Sequence, residues 1–325
     1  MSNIQGTPIY KMSGAGNDFV VLDGRGVDVS EFRRTERIRE VCAEFRTDGL
    51  MILDVSDSAD FRMEFYNPDG SGGMMCGNGG RCIIAFADFL GITPADGHTY
   101  RFLAPDGPHS AEIISRPESG RMVVPCGTPF ASLTPAPPIA SDGPLPLPLS
   151  GGGQALRGLP STASKWTIRL EMKNVDGVQE VLGGYFLNTG TRHFVKFVED
   201  VDAIDIEKEG KELRWNKDFA PEGTNVNFVQ VCEDRLKIRT FEKGVEGETL
   251  ACGTGITASA LAAYAGRFLR FARNDSEGRN ENEERNDRTS IRIQARRGDI
   301  LTVDFTATEP GIFRNIHLTG PAEFI

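Results

Sequence analysis

The chain has 325 residues, 39% of them hydrophobic and 25% charged, enough apolar side chain for two cores of ordinary domain size. A net charge of −10, with no Lys/Arg-rich stretch interleaved with aromatics, argues against nucleic acid and against an anionic membrane surface as partners. No apolar run approaches membrane-spanning length, the first residues have neither the basic nor the apolar region of a secretion signal, and the six cysteines form no CxxC pair. A cytoplasmic protein with free thiols is the expectation.

Ile9 to Arg25 predicts an apolar strand, a glycine turn carrying Asn17 and Asp18, and a second strand. A polar helix follows over about Glu31 to Phe45, then strands at Gly49–Val55 and Phe61–Tyr66. Asn67-Pro68-Asp69-Gly70 is strong turn chemistry and leads to Cys76. The sequence Cys76-Gly77-Asn78-Gly79 then opens an apolar helix that stops near Gly91 and Pro94. Strands are expected at Tyr100–Leu103, Ala111–Ser115 and Met122–Pro125. The Pro/Gly/Ser-rich stretch 128–164 has no periodicity and reads as a surface insertion or linker.

The second half repeats this order. Strands at Trp166–Lys173 and Val178–Leu187 lead to Asn188-Thr189-Gly190-Thr191-Arg192-His193 and a strand at Phe194–Val198. Asn225 precedes a strand at Asn227–Cys232, and Arg235–Glu242 forms the next. Cys252-Gly253-Thr254-Gly255 opens a second helix with apolar residues at Ile256, Ala260, Leu261, Tyr264 and Phe268. The polar stretch 270–289 reads as a disordered insertion. Strands at Ile291–Ala295, Ile300–Phe305 and Ile316–Thr319 close the chain. The fold expected is α+β: two pseudo-symmetric domains, each a curled mixed sheet around a central helix, with the site in the cleft between them.

A single Cys-Gly-x-Gly is weak evidence, since a glycine-punctuated cap around a buried cysteine or a phosphate-binding nest uses the same residues. Two copies in corresponding positions point to one shared site. A thiol at a helix N-terminus is expected to have its thiolate stabilised by the helix dipole and free N–H groups. Two such thiols facing one carbon suit removal of a proton from one face and delivery to the other. No Walker lysine, zinc-type His/Cys cluster or G-x-G-x-x-G pattern is present, so neither metal nor cofactor is expected.

The motifs KMSGAGNDFVVLD, NPDGSGGMMCGNGGRC, NTGTRHFV, GTNVNFVQV and RTFEKGVEGETLACGTG, in this order from Lys11 to Gly255, resemble those of the diaminopimelate epimerases. The resemblance implies cofactor-independent epimerisation of LL-diaminopimelate to the meso form, a step toward lysine and peptidoglycan precursors. It implies Cys76 and Cys252 as the acid/base thiols, with His193 and Glu242 beside them tuning their protonation. Asn17, Asn67 and Asn225 would bind the substrate's amino and carboxylate groups, and Gly77, Asn78, Gly253 and Thr254 would supply helix-start N–H groups. For each asparagine alone, turn capping is the competing explanation. Lys243 stands where family members carry an arginine clamp, and Arg192 where a proline is common. The segment 45–49 looks shortened, and no site residue is expected in it. The resemblance also implies a homodimer and a last strand that returns to the first half. The domains expected are therefore 1–127 with 312–325, and 165–311. A proline racemase-like enzyme, a non-catalytic homologue and a thiol redox protein are the competing functions; distant cysteines with no resolving partner speak against the last.

Overall fold

A computed structural model describes residues 8–73, 75–117, 165–274 and 288–325, and side chains in all of these but 267–274. The expected strand at Met122–Pro125 and the stretch 128–164 lie outside the described residues. In the first half β1 (Ile9–Gly14) and β2 (Asn17–Asp23) form a hairpin. Its two turn residues, Ala15 and Gly16, both have positive φ, the backbone that matches the twist of paired strands. After α1 (Thr35–Phe45), β3 (Gly49–Asp54) lies parallel to β2, and β4 (Phe61–Tyr66) returns antiparallel to β3. The chain then enters α2 (Gly77–Phe89), followed by β5 (Thr99–Ala104), parallel to β4, and β6 (Gly107–Ser115). β7 (Lys165–Glu171) pairs with β6.

The second half repeats this wiring. β8 (Val178–Val181) and β9 (Gly184–Asn188) form a hairpin, and β10 (Arg192–Val198) pairs antiparallel with β9. β11 (Asn225–Val231) is parallel to β10 across a connection that holds the short α3 (Lys211–Arg214). β12 (Leu236–Glu242), the short β13 (Gly247–Thr249) and α4 (Gly253–Asn274) follow. β14 (Arg288–Gln294), parallel to β12, β15 (Ile300–Glu309) and β16 (Ile312–Phe324) complete the chain. In both halves a hairpin feeds a parallel strand, an antiparallel return, a cysteine-headed helix and a second parallel pair.

The first half closes on itself, because β16 pairs with both β7 and β1. Alternation along the strands then sorts side chains to two sides. Phe19, Val21, Met51, Leu53, Phe61 and Met63 join the core around α2, while Val20, Leu22, Leu50 and Ile52 pack against α1. Every α2 residue from Gly77 to Ala87 is buried, as expected of a helix enclosed by a sheet on all sides. α4 is held likewise by β9 to β12 and β14 to β16, and Val175 bridges Phe313 of β16 on the far side.

Several boundaries differ from those expected. Val178–Leu187 is two strands, because Leu182 and Gly183 both take positive φ and reverse the chain. The stretch 270–289, expected to be disordered, gives its first residues to α4 and Arg288 and Thr289 to β14, where they pair with Thr306 and Phe305. Residues 275–287 lie outside the described set. β16 runs unbroken from Ile312 to Phe324: its first part pairs with β15, and Gly320–Glu323 pair with β7. β7, expected to belong to the second half, has its ladder partners in β6 and β16.

Candidate active site

The two cysteine-headed helices meet end to end. Cys76 caps α2, and its Sγ accepts the Gly79 N–H at 3.2 Å. Cys252 stands in the same place before α4, where its carbonyl accepts the Ile256 N–H at 2.8 Å. A Cβ placed on Gly253 would lie 3.0 Å from the Gly77 Cα and 3.3 Å from Leu318 Cδ2, so the helix starts touch backbone to backbone across a β16 side chain. Only glycine allows that approach. Asn78 stitches the junction, giving one N–H to the Ala251 carbonyl at 3.0 Å and one to Asn17 Oδ1.

Burial overrides the helix starts. Loss of solvent pushes the Cys76 thiol up to about 11, against the Gly79 N–H, which favours the thiolate. Cys252 is raised further, first by burial and then by the negative charge of Glu242, with Cys76 a smaller contributor. The helix-start N–H groups act in the expected direction, lowering both thiols, but burial outweighs them. Glu242, at the end of β12, is itself raised by burial and then by Asp48, while Thr249 Oγ1 donates to it at 2.8 Å. Its field reaches both thiols.

His193 does not touch a thiol directly. Its Nδ1 lies 2.8 Å from Asn227 Oδ1, and Asn227 in turn donates to Thr240 Oγ1, so Nδ1 carries the proton and Nε2 accepts. Thr254 Oγ1 sits 2.9 Å from Nε2 and 3.3 Å from Cys252 Sγ, a hydroxyl bridge between histidine and thiol. Thr191 Oγ1 also reaches Nε2, at 2.9 Å. Burial lowers His193 to about 4, so the imidazole is neutral at physiological pH. Thr254, expected to offer a backbone N–H, thus also acts through its side chain.

The asparagines divide. Asn17 starts β2, accepts from Asn78 and donates to Asp48 Oδ2 at 3.2 Å, which places it at the junction. Asn225 is nearly buried; its amide donates to the Arg192 carbonyl and accepts the Lys243 N–H at 2.8 Å, tying the strand of His193 to the strand of Glu242. Asn67 lies on the loop leading to Cys76 and donates to Ser71 Oγ at 3.0 Å, a turn-capping role. Arg192 pairs with Glu222 and lies over the Phe186 ring at 5.1 Å, and Lys243 is exposed. Among the described residues no three His, Cys, Asp or Glu side chains converge as a metal site.

Thr191, Asn227, Thr240 and Asp48 join the site without being expected from the sequence. Asn227 and Thr240 carry a faint signal, as polar residues at buried positions whose strand neighbours on the same side, Val229 and Ile238, are apolar.

Comparison with known proteins agrees with this geometry. The sequence model of the family described as diaminopimelate epimerase matches residues 9–127 and 185–300. The diaminopimelate epimerase of Aquifex aeolicus is 36% identical over 324 residues, covering 96% of this chain and 93% of that one. That of Chlorobaculum tepidum is 35% identical, with 97% of each chain covered. Among solved structures, a phenazine biosynthesis protein of the PhzF family from Bacillus anthracis superposes with a TM-score of 0.59 at 12% identity, covering 98% of this chain and 96% of that one. A probable proline racemase from Agrobacterium radiobacter does so with a TM-score of 0.54 at 14% identity, covering 98% and 91%. These two share the fold, an α+β arrangement of mixed sheets. No described helix is long and apolar enough to cross a membrane. The chain belongs to the diaminopimelate epimerase family of isomerases.

Proposed function

We propose that the protein epimerises LL-2,6-diaminopimelate to the meso form, without a cofactor, through Cys76 and Cys252 acting on opposite faces of one α-carbon. The observation that carries this reading is the abutment of two cysteine-headed helices under the shared influence of Glu242. One thiolate removes the α-proton; the opposite thiol delivers its proton to the other face and becomes the thiolate, so charge and protons balance over a turnover. The reverse direction exchanges the roles.

Both thiols are raised in the free protein, so the base must be generated at the site. A substrate ammonium near a thiol favours its ionised form, and a closed, dry junction then leaves the thiolate poorly solvated and basic. The N–H groups at the starts of α2 and α4, from Gly77 to Asn78 and from Gly253 to Thr254, suit the substrate carboxylate and the enolate-like charge that grows on it. His193 works through Thr254. With Cys252 as a thiol the Thr254 hydroxyl accepts from sulfur and donates to Nε2; with Cys252 as a thiolate it turns its proton to sulfur while Nε2 accepts from Thr191 Oγ1. Asn17 and Asn225 shape the pocket walls, Asn67 the entry loop, and Lys243 offers a point charge toward the distal head of the substrate. We further propose that the protein is a cytoplasmic homodimer, that the two domains of each chain meet at this junction, and that it serves lysine and peptidoglycan precursor synthesis.

The test is to incubate the reduced protein with LL-diaminopimelate and resolve the isomers by chiral chromatography. Appearance of the meso isomer supports the reading. Turnover of proline with none of diaminopimelate would move the protein to the racemases of the same fold.

A further inference from the structure

Arg81 lies early in α2 and is fully buried, yet the acid/base scheme gives it no part. Its guanidinium donates to Asn78 Oδ1 at 2.8 Å and to the carbonyls of Gly77 at 3.1 Å, Pro321 at 3.2 Å and Gly14 at 3.4 Å. All four acceptors are neutral. Burying a cation with no anion among its hydrogen-bond acceptors is costly. Placing it near a helix N-terminus, which is already positive, adds to that cost. Burial brings the group down only to about 10, so it stays charged at neutral pH. Such a charge fits the fold best when negative charge forms beside it.

The second half offers a control within the same molecule. The residue five after Cys252 is Thr257, as Arg81 is five after Cys76, and Thr257 Oγ1 bonds the Gly253 carbonyl at 3.0 Å where Arg81 bonds the Gly77 carbonyl. The hydrogen bond is kept in both halves while the charge is on one side only. Around Cys76 the charged and titratable groups are Glu242 on β12, Cys252 ahead of α4, and Arg81 and Cys82 on α2. Asp299, between β14 and β15, acts on Arg81, and Asp18 on β2 and Glu323 on β16 act on Cys82. Arg81 is the positive member of this set; it acts most on Cys82 and next on Cys76. Cys82, shut away from solvent, is raised further by burial, which leaves Cys76 as the thiol that the charge can help to ionise. Through Asn78 it also holds the Ala251 peptide, and so the position of Cys252.

We propose that Arg81 is a positioning residue for the thiol pair: its one-sided buried charge directs the first ionisation to Cys76, and its bond to Asn78 keeps Cys252 seated against α2. The proposal rests on the reading of Cys76 and Cys252 as the acid/base pair. Its test does not need the substrate. The rate of Cys76 carbamidomethylation is followed against pH by peptide mass mapping in the parent, Arg81→Met, Arg81→Gln and Arg81→Lys proteins, and folding is checked by circular dichroism. The pH midpoint reports ionisation separately from access.

The expected result is a midpoint raised by ~1 unit or more in Arg81→Met and Arg81→Gln, with Arg81→Lys within ~0.3 unit of the parent. Arg81→Gln keeps a donor for the carbonyls and carries the test if Arg81→Met does not fold. With diaminopimelate, the neutral variants are expected to lose kcat by ~100-fold. An unchanged midpoint in a folded neutral variant overturns the proposal, as does a parent protein in which Cys252 ionises before Cys76. Absence of epimerase activity alongside a shifted midpoint would refute the proposed substrate and leave the role of Arg81 standing.

Discussion

His193 ties the site to the stability of the fold in a way that pH can read. The imidazole is fully buried, and burial lowers it from 6.5 to about 4. The unfolded chain therefore binds a proton between these values that the folded chain refuses. Stability from this source is fully present above about 6.5 and is lost as pH falls toward 4. At about 1.4 kcal/mol per unit the full effect is roughly 3 kcal/mol, of which about 2 kcal/mol should be gone by pH 5. The perturbation is His193→Gln, which does not titrate and retains an acceptor and a donor for Thr254 and Asn227. Urea unfolding followed by circular dichroism at pH 7.5 and pH 5 gives the stability of each protein. Glu242, raised by burial, acts in the opposite direction, but it is common to both proteins and drops out of the difference. The parent should lose about 2 kcal/mol more than the variant between the two pH values. Equal losses, within about 0.5 kcal/mol, would refute the claim that His193 is a buried neutral imidazole.

Two further outcomes follow from the junction. Cys76→Ala and Cys252→Ala should each lower epimerisation by at least ~10³-fold while leaving the thermal midpoint near the parent's, and a steady-state assay that finds either variant within tenfold would contradict a two-thiol mechanism. Gly253→Ala puts a Cβ 3.0 Å from the Gly77 Cα, so the helix starts must separate by a few tenths of an ångström. A loss of ~10²-fold in kcat with little change in KM is expected, and unaltered kcat would show that the close approach has no bearing on catalysis.

Much of this arrangement is legible from residue patterns. The two Cys-Gly-x-Gly helix starts stand out because glycine runs and helical spacing are local signals, and the duplication because both halves repeat the same order of elements. β4 is legible to the residue, since Tyr66 is followed directly by the Asn67-Pro68 turn. Features governed by distant contacts are not legible. The β8–β9 hairpin is an exception: Gly183-Gly184 is a local turn signal, and the stretch reads as one strand only because Leu182, itself at positive φ, continues the apolar run. Gly320 and Pro321 suggest a strand end, but β16 continues because β7 pairs with it there. The connection holding α3 is polar and gives no periodic signal. At the site, chemistry depends on proximity across sequence: Thr254 reaches His193 over 61 positions, and Asn78 reaches Ala251 over 173. The direction of the thiol shifts is hidden for the same reason. A helix start is visible in a sequence, whereas the packing of the other half against it is not.

The most direct test of the central claim follows the α-proton itself. LL-diaminopimelate is incubated with the reduced protein in D2O, and proton NMR and mass spectrometry are applied to product and recovered substrate during the first few per cent of turnover. Two opposed thiols predict that the meso product carries solvent deuterium at the inverted carbon from the start, while unreacted LL isomer keeps its proton. Product that retains the substrate's own proton would mean one base serving both faces, and would contradict the assignment of Cys76 and Cys252 as opposed acid and base.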